Sequence, residues 1–562
     1  MNSIKRILGV SCFYHDAAVA SLDDGHITFA IHEERLSRRK HDAALPRLAI
    51  ARALTHNGWR AQDVDRVVFY EDPEIKLARL REQVERFRPE SRYLEEHGIP
   101  HYLQHKYPVA QMLRREFDFR NVAYGQHHRS HAAAAFYTSP FEHSLVLTVD
   151  GVGESESAAV FLGEGNSLQR VMSVDFPDSL GLFYSVFTQY LGFEVNEGEY
   201  KVMGLAPYGE PRFLDKLLGE VLTLKDDGSY ALNLDYFNFC DPERHYRDRL
   251  IAHLGVPPRQ PGEAMTDAHR DLAASVQRAL EEGVCNLLRW VLRRFPTQNV
   301  CLAGGVALNC TANARLIREF GINLHIHAAA GDAGGALGAA LYEAAAHAPA
   351  GTLLRPAFTP YLGVEFSDGQ IEDTLRVSNV PYRREPAVAA VIARRLAEGE
   401  VVAILHGRDE WGPRALGARS ILADPRRAEM KDHLNAKIKF REEFRPFAPV
   451  VLEEHYGEYF ETLGMRCSPH MLYTNTAVQP ERMAAVVHVD KSSRVQTVNA
   501  AQNAYLYEII REFHARTGVP VIVNTSFNLK GDPIVSNPAD ALKTFYASGI
   551  DCLAMEDFMV TK

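Results

Sequence analysis

The segments NVCLAGGVALN (299–309) and INLHIHAAAGDAGGALGAALYEAA (322–345) decide the fold class. Each opens with a short apolar run, passes through glycines and enters a stretch of small, helix-compatible residues. Strand, glycine turn and helix start thus recur within a short span, which is an α/β pattern. Glycines at such turns let backbone N–H groups approach a phosphate at a helix N-terminus.

Toward the N-terminus, ILGVSCF (7–13) and HITFAIHEER (26–35) read as two strands of a hairpin. HDAAVASLDDG (15–25) connects them, and Asp24-Gly25 supplies the turn. A similar arrangement returns in SLVLTVDGVGE (144–154), SAAVFLGEGNS (157–167) and LQRVMSV (168–174), as an internal duplication would leave it. EIKLARLREQVERF (74–87) and LAASVQRALEEGVCNLLRWVLRRF (272–295) carry apolar residues at helical spacing. AAHAPAGTLLRPAFTP (345–360) has the Ala/Pro/Gly content of a linker, so domains are expected over 1–350 and 360–562. The second has short apolar strands in VVAIL (401–405), PVIVNTSF (520–527) and DCLAM (551–555).

The chain has 562 residues, 46% apolar and 24% charged, which suits a folded protein of two domains. A formal charge of -10 gives no support to a nucleic-acid partner. Seven scattered cysteines form no CxxC pair, which argues against zinc ribbons and a disulfide framework. MNSIKRILGV lacks the apolar core of a secretory signal, and no apolar run reaches the ~18 residues of a membrane span. A cytoplasmic enzyme without a membrane partner is expected.

In GQHHRSHAAAAF (125–136), His127 and His131 are four apart, which puts both imidazoles on one helix face. Incidental histidines at a polar helix start would look the same. Asp150 and Asp332, each at a strand end beside glycine, are turn residues or N-caps on their own. Joined to the histidine pair they make an N₂O₂ donor set suited to Fe(II), Mn(II) or Zn(II). Three glycine-rich turns suggest a nucleotide cradle: Gly151 and Gly153, then Gly304, Gly305 and Asn309, then Gly334. The C-terminal part crowds Arg408, Arg414, Arg419, Lys437, Lys439, Arg441, Arg445 and Arg494 among Trp411, Phe440, Phe444 and Phe447. Asn524 and Ser526 end a strand nearby in sequence pattern, and such a frame suits a phosphate or acyl-phosphate. His15, beside Asp16, is either a general base for a hydroxyl or a structural histidine at a strand end.

Together these motifs resemble the O-carbamoyltransferases of nodulation factors, cephamycins and aminoglycoside antibiotics. The matching segments are HDAA (15–18), EERLSRRKHD (33–42), HHRSHAAAA (127–135), DGVGE (150–154) and GEYKVMGLAPYG (198–209). LAGGVALN (302–309), GDAGGALGAA (331–340), GPRALGARSILADPR (412–426), FRPFAPVVL (444–452) and NTSFNLKGDPIV (524–535) complete the series. One departure is Ala418, where Asn is frequent.

The resemblance implies an actin-like ATPase fold, a duplicated ribonuclease-H-like unit, followed by a YrdC-like α/β domain. It implies iron or another divalent metal on His127, His131, Asp150 and Asp332, with His15 as the catalytic base. Arg414, Lys439, Arg445, Arg494, Asn524 and Ser526 would bind carbamoyl phosphate, Arg414 and Lys439 catalytically. Glu199 and Lys201 would lie near the nucleotide or acceptor. The implied route joins carbamoyl phosphate and ATP, with Mg2+, into carbamoyl-adenylate, shielded from bulk water, and then carbamoylates a natural-product hydroxyl. Segments 71–120 and 225–265 would shape the acceptor pocket, and a homodimer is left open. The alternatives are a fused tRNA threonylcarbamoyl synthase and a non-catalytic nucleotide-gated regulator.

Overall fold

The computed structural model describes residues 4–349, 351–442 and 444–562. Residues 1–3 of the N-terminal run and residue 350 of the expected linker lie outside it. The chain divides into two compact units, residues 1–29 with 43–358, and residues 30–42 with 359–562.

The first unit is built on two five-stranded sheets. Strands β1 (Arg6–Ser11), β2 (Ala18–Asp23), β3 (His26–His32), β4 (Arg66–Phe69) and β5 (Val122–Tyr124) lie in the order β3-β2-β1-β4-β5. Next come β6 (His143–Gly153), β7 (Glu156–Glu164) and β8 (Ser167–Asp175), then a small hairpin of β9 (Leu222–Leu224) and β10 (Tyr230–Leu232). With β11 (Asn299–Ala303) and β12 (Asn323–Ile326), the second sheet runs β8-β7-β6-β11-β12. The two orders are the same. In each, the first strand pairs antiparallel with the second and parallel with the fourth. That repeat is the duplicated ribonuclease-H-like architecture of the actin-like ATPases. The segment expected to connect the first two strands is itself β2, buried over most of its length. Alternation was absent there because both of its faces are covered. Asp24 and Gly25 both have positive φ, as a tight turn between β2 and β3 requires.

The helices include α1 (Pro73–Arg86), α2 (His127–Tyr137), α3 (Leu180–Tyr190), α4 (Asp267–Arg294), α5 (Cys310–Phe320) and α6 (Asp332–Ala346). Helices α2 and α6 each follow the last strand of one sheet, and they pack on each other. Their small residues make this possible: a Cβ on Gly338 would stand 1.7 Å from the Ser130 carbonyl oxygen. A side chain there would force the helices apart.

The second unit contains β13 (Arg383–Arg384), β14 (Val402–Leu405), β15 (Arg419–Ala423), β16 (Ala448–Leu452), β17 (Thr474–Thr476) and β18 (Ser492–Arg494). It also contains β19 (Gln496–Val498), β20 (Val521–Ser526), β21 (Cys552–Met555) and β22 (Phe558–Thr561). Eight of these form one mixed sheet, β13-β22-β21-β14-β15-β20-β16-β19. Helices α7 (Val388–Ala397) and α8 (Ala504–Thr517) pack on each other. Residues 30–42, expected within 1–350, are bound here. Arg38 donates to the carbonyls of Ile534 and Pro533 at 2.6 and 2.9 Å, and buried Arg35 donates to that of Gly412 at 3.1 Å.

Among the described residues, no helix is long and apolar enough to cross a membrane.

Candidate metal centre and anion site

The duplication explains how residues distant in sequence meet. His127 and Asp332 are the first residues of α2 and α6, and His131 lies one turn into α2. Asp150 lies on β6 near its end. The Nε2 atoms of His127 and His131 stand 3.1 Å apart. Asp150 Oδ2 lies 3.2 Å from His127 Nε2 and 3.0 Å from His131 Nε2. Asp332 Oδ1 lies 3.6 and 3.3 Å from the same atoms. His127, His131 and Asp332 are buried, and Asp150 is half-buried. Four ligands held at ~2.1 Å around a tetrahedral cation would be roughly 3.4 Å from one another. The donor chemistry and the spacings both fit a divalent metal.

Burial pushes both imidazoles down, but Asp150 and Asp332 outweigh it and raise each above its usual range. Burial would raise Asp150, yet the two histidines bring it well below the ordinary carboxylate value. The cluster therefore gathers positive charge, whether as protons or as a metal ion. His128 turns away from this set: Nδ1 meets Thr148 Oγ1 at 2.8 Å and Nε2 the Glu156 carbonyl at 3.0 Å.

The glycine turns serve this centre in part. Asp150 Oδ1 accepts from the N–H groups of Gly151 and Gly305 at 2.8 and 3.2 Å, which turns Oδ2 toward the histidines. A Cβ on Gly153 would fall 1.9 Å from His127 Cδ2, so this glycine makes room for the ring. Gly304, at φ +89°, lets its chain pass close to the Val149 carbonyl. At Gly334 the close neighbour is the Ala329 carbonyl oxygen, 1.9 Å from where a Cβ would stand. The close turn that leads into α6 is reason enough for that glycine. Asn309 caps α5 through the N–H of Ala312 and exchanges two hydrogen bonds with Gln277 at 2.9 and 3.0 Å. Lys201 Nζ lies 5.7 Å from the Phe193 ring centre, and Glu199 accepts from Ser185 Oγ at 2.9 Å.

His15 Nδ1 contacts Asp16 Oδ2 at 3.0 Å. Burial lowers its pKa, but the Asp16 bond and the charges of Asp332, Asp16 and Asp150 bring it up to about 9. Those carboxylates favour the protonated ring. As a base it requires their charge to be offset.

A cleft of about 460 Å³ between Phe87, Glu90, Leu234, Arg247 and Arg249 draws on both segments expected to shape the acceptor pocket. Helix α1 separates it from the metal centre. At ~1.5 Å per residue, the 14 residues of α1 span about 20 Å.

In the second unit, Lys439 and Ser526 come together. Lys439 Nζ donates to the carbonyl and hydroxyl oxygens of Ser526 at 2.5 and 3.1 Å, and to Asn528 Oδ1 at 2.8 Å. Burial lowers the Lys439 ammonium well below its usual value, and Arg441, Arg445 and Lys40 lower it further. Asn524 donates to the Ala415 carbonyl at 3.1 Å and to Gln496 Oε1 at 2.7 Å, which ties it to the residue after Arg414. Gln496 in turn donates to the Leu416 carbonyl at 2.8 Å. Arg494 is two residues earlier, on β18 opposite Thr474. Arg445 is half-buried, 3.4 Å from Glu442. The basic run divides sharply. Arg419 is fully buried, pairs with Asp409 at 2.9 Å and donates to five carbonyls. Arg408 donates to the Gly363 carbonyl at 3.1 Å, and Lys437 is exposed.

The sequence reading passed over Glu410, Gln496 and Glu71. Buried Glu410 accepts from the N–H groups of Leu416, Ala418 and Arg419 at 2.7–3.0 Å and so holds the loop that carries Arg414. Its only sequence signal was an acid inside a glycine-rich basic motif.

Fold and site define a two-unit α/β protein of the actin-like class with a buried His/Asp centre. Residues 6–341 match the family model of the carbamoyltransferase N-terminus, and residues 393–562 that of the C-terminus. The chain belongs to the carbamoyltransferase family. It is 40% identical to the uncharacterized protein sll1178 of Synechocystis, covering 100% of this chain and 97% of the relative. It is 39% identical to the nodulation protein NolNO of Sinorhizobium fredii, covering 98% of this chain and 79% of that one. Among solved structures, component A of the Acidaminococcus fermentans (R)-2-hydroxyglutaryl-CoA dehydratase overlaps at TM-score 0.35 and 16% identity. That overlap covers 61% of this chain and 99% of that one.

Proposed function

We propose that this carbamoyltransferase uses ATP and carbamoyl phosphate to carbamoylate a hydroxyl of a small natural product. The observation that carries the reading is the convergence of two histidine Nε2 atoms on α2 with the carboxylates of Asp150 on β6 and Asp332 at the start of α6, in a chain of this family.

The second unit, with the domain limits expected at 360–562 and a YrdC-like role, would form the activated donor. Water cleaves carbamoyl phosphate to carbamate and phosphate. A carbamate oxygen then attacks the α-phosphorus of ATP, giving carbamoyl-adenylate as pyrophosphate leaves. Arg414, Lys439, Arg445 and Arg494 would hold phosphoryl charge, while Asn524 and Ser526 fix the edge of the pocket. The first unit, expected over 1–350, would carry out transfer. Gly151, Gly153, Gly304, Gly305, Asn309, Gly334 and Lys201 would lie near the nucleotide in this reading. The acceptor oxygen attacks the carbonyl carbon, AMP leaves, and His15 takes the hydroxyl proton. Iron, manganese or zinc held by His127, His131, Asp150 and Asp332 would supply Lewis acidity toward the carbonyl oxygen.

Pyrophosphate release tests this directly. It is expected only when ATP and carbamoyl phosphate are both present. Pyrophosphate from ATP alone, or ADP as the product, would refute the donor chemistry.

A further inference from the structure

Glu71 lies two residues past β4, is buried, and belongs to none of the family motifs quoted above. Its Oε2 stands 3.8 Å from Nδ1 of His127, the ring nitrogen on the side away from the metal ligands. Both its oxygens accept from Lys76 Nζ, at 2.8 and 2.9 Å. His127 Nδ1 is buried and makes no hydrogen bond of normal length. The ring itself is confined: Gly153 lies against one edge, and the Tyr70 ring centre is 5.3 Å away.

We propose that Glu71 is a positioning residue of the metal centre, accepting the Nδ1–H of His127 so that the Nε2 lone pair faces the metal. The proposal rests on the reading of His127, His131, Asp150 and Asp332 as ligands. A neutral imidazole has one proton, and the nitrogen that carries it cannot ligate. A carboxylate behind Nδ1 selects the useful tautomer and makes Nε2 more basic. The present gap exceeds a hydrogen bond by about 1 Å, which a shift of the Glu71 carboxylate toward the confined ring would have to close. Lys76 keeps the carboxylate ionised and, by binding both oxygens, keeps it from swinging into the ligand set. His131 differs: its Nδ1 is also buried without a hydrogen bond, and among the described residues its ion-pair contacts to carboxylates run through Nε2.

The test uses Co2+ titrated into the metal-stripped full chain. Glu71→Gln should bind the same stoichiometry with Kd raised roughly 10- to 100-fold. Lys76→Gln breaks the same buried pair but leaves the carboxylate, so it should weaken binding less. Unchanged affinity in Glu71→Gln, or equal weakening in both variants, overturns the positioning role. If Glu71→Gln does not fold, wild type decides: its Co2+ form should show a paramagnetically shifted, exchangeable imidazole N–H that moves in Lys76→Gln. Absence of such a signal also overturns the role. Asp332→Asn separates the two levels. If wild type takes up no Co2+, or Asp332→Asn binds it equally well, the ligand reading falls and this proposal with it.

Discussion

Nε2 of His131 lies 3.3 Å from Oδ1 of Asp332, across the contact of two helices that end the two halves of a duplicated fold. Neither half holds the full donor set. Removing either residue should therefore empty the centre while leaving the second unit untouched. His131→Ala and Asp332→Asn are expected to lose bound metal and carbamoyl transfer, yet retain pyrophosphate formation from ATP and carbamoyl phosphate. Metal analysis and a pyrophosphate assay on the same preparations check both halves of that statement.

Metal affinity should strengthen with pH. The carboxylates raise His127 and His131, so protons compete for Nε2 to a higher pH than at a free imidazole. Acidification from about pH 8 to about pH 6 should weaken binding markedly, whereas pH-independent binding would contradict the ligand assignment.

His15 should titrate with a midpoint near 9 in the metal-stripped protein, where Asp16 and the centre's carboxylates raise it. Its folded value lies above the unfolded one. The stability it contributes is therefore full below about pH 6.5 and fades as pH rises through about 9. Metal loading should lower the midpoint, since a cation offsets Asp150 and Asp332. His15→Asn should spare pyrophosphate formation and stop transfer. Loss of both steps together would remove His15 from the role of base.

The basic residues of the second unit should separate by phenotype. Arg419→Met leaves Asp409 buried without its partner, which is expected to cost about 3–5 kcal/mol in denaturant unfolding. Arg445→Ala and Lys439→Met are expected to cut pyrophosphate formation by about a hundredfold or more. If Arg419→Met were as stable as wild type, its place as the buried anchor would be wrong.

Much of this protein was legible in one dimension. The strand–glycine–helix pattern, the repeated hairpins and the His127/His131 spacing depend on local periodicity, and local periodicity is written along the chain. So were the acids at the ends of apolar strands. Other features depend on which groups end up facing each other in a dry interior. Arg414 and Arg419 look alike in sequence, but Arg414 is half-buried while Arg419 is sealed among carbonyls and Asp409. Gly151 and Gly305 looked like phosphate donors, and in the fold their N–H groups aim Asp150. Glu71 carried no signal at all. The chain's own pattern determined a duplicated α/β fold, its turns and its pool of metal and anion ligands. Tertiary packing decided which of them meet, because burial and distance set the energy of a charge and neither is a property of neighbouring residues alone.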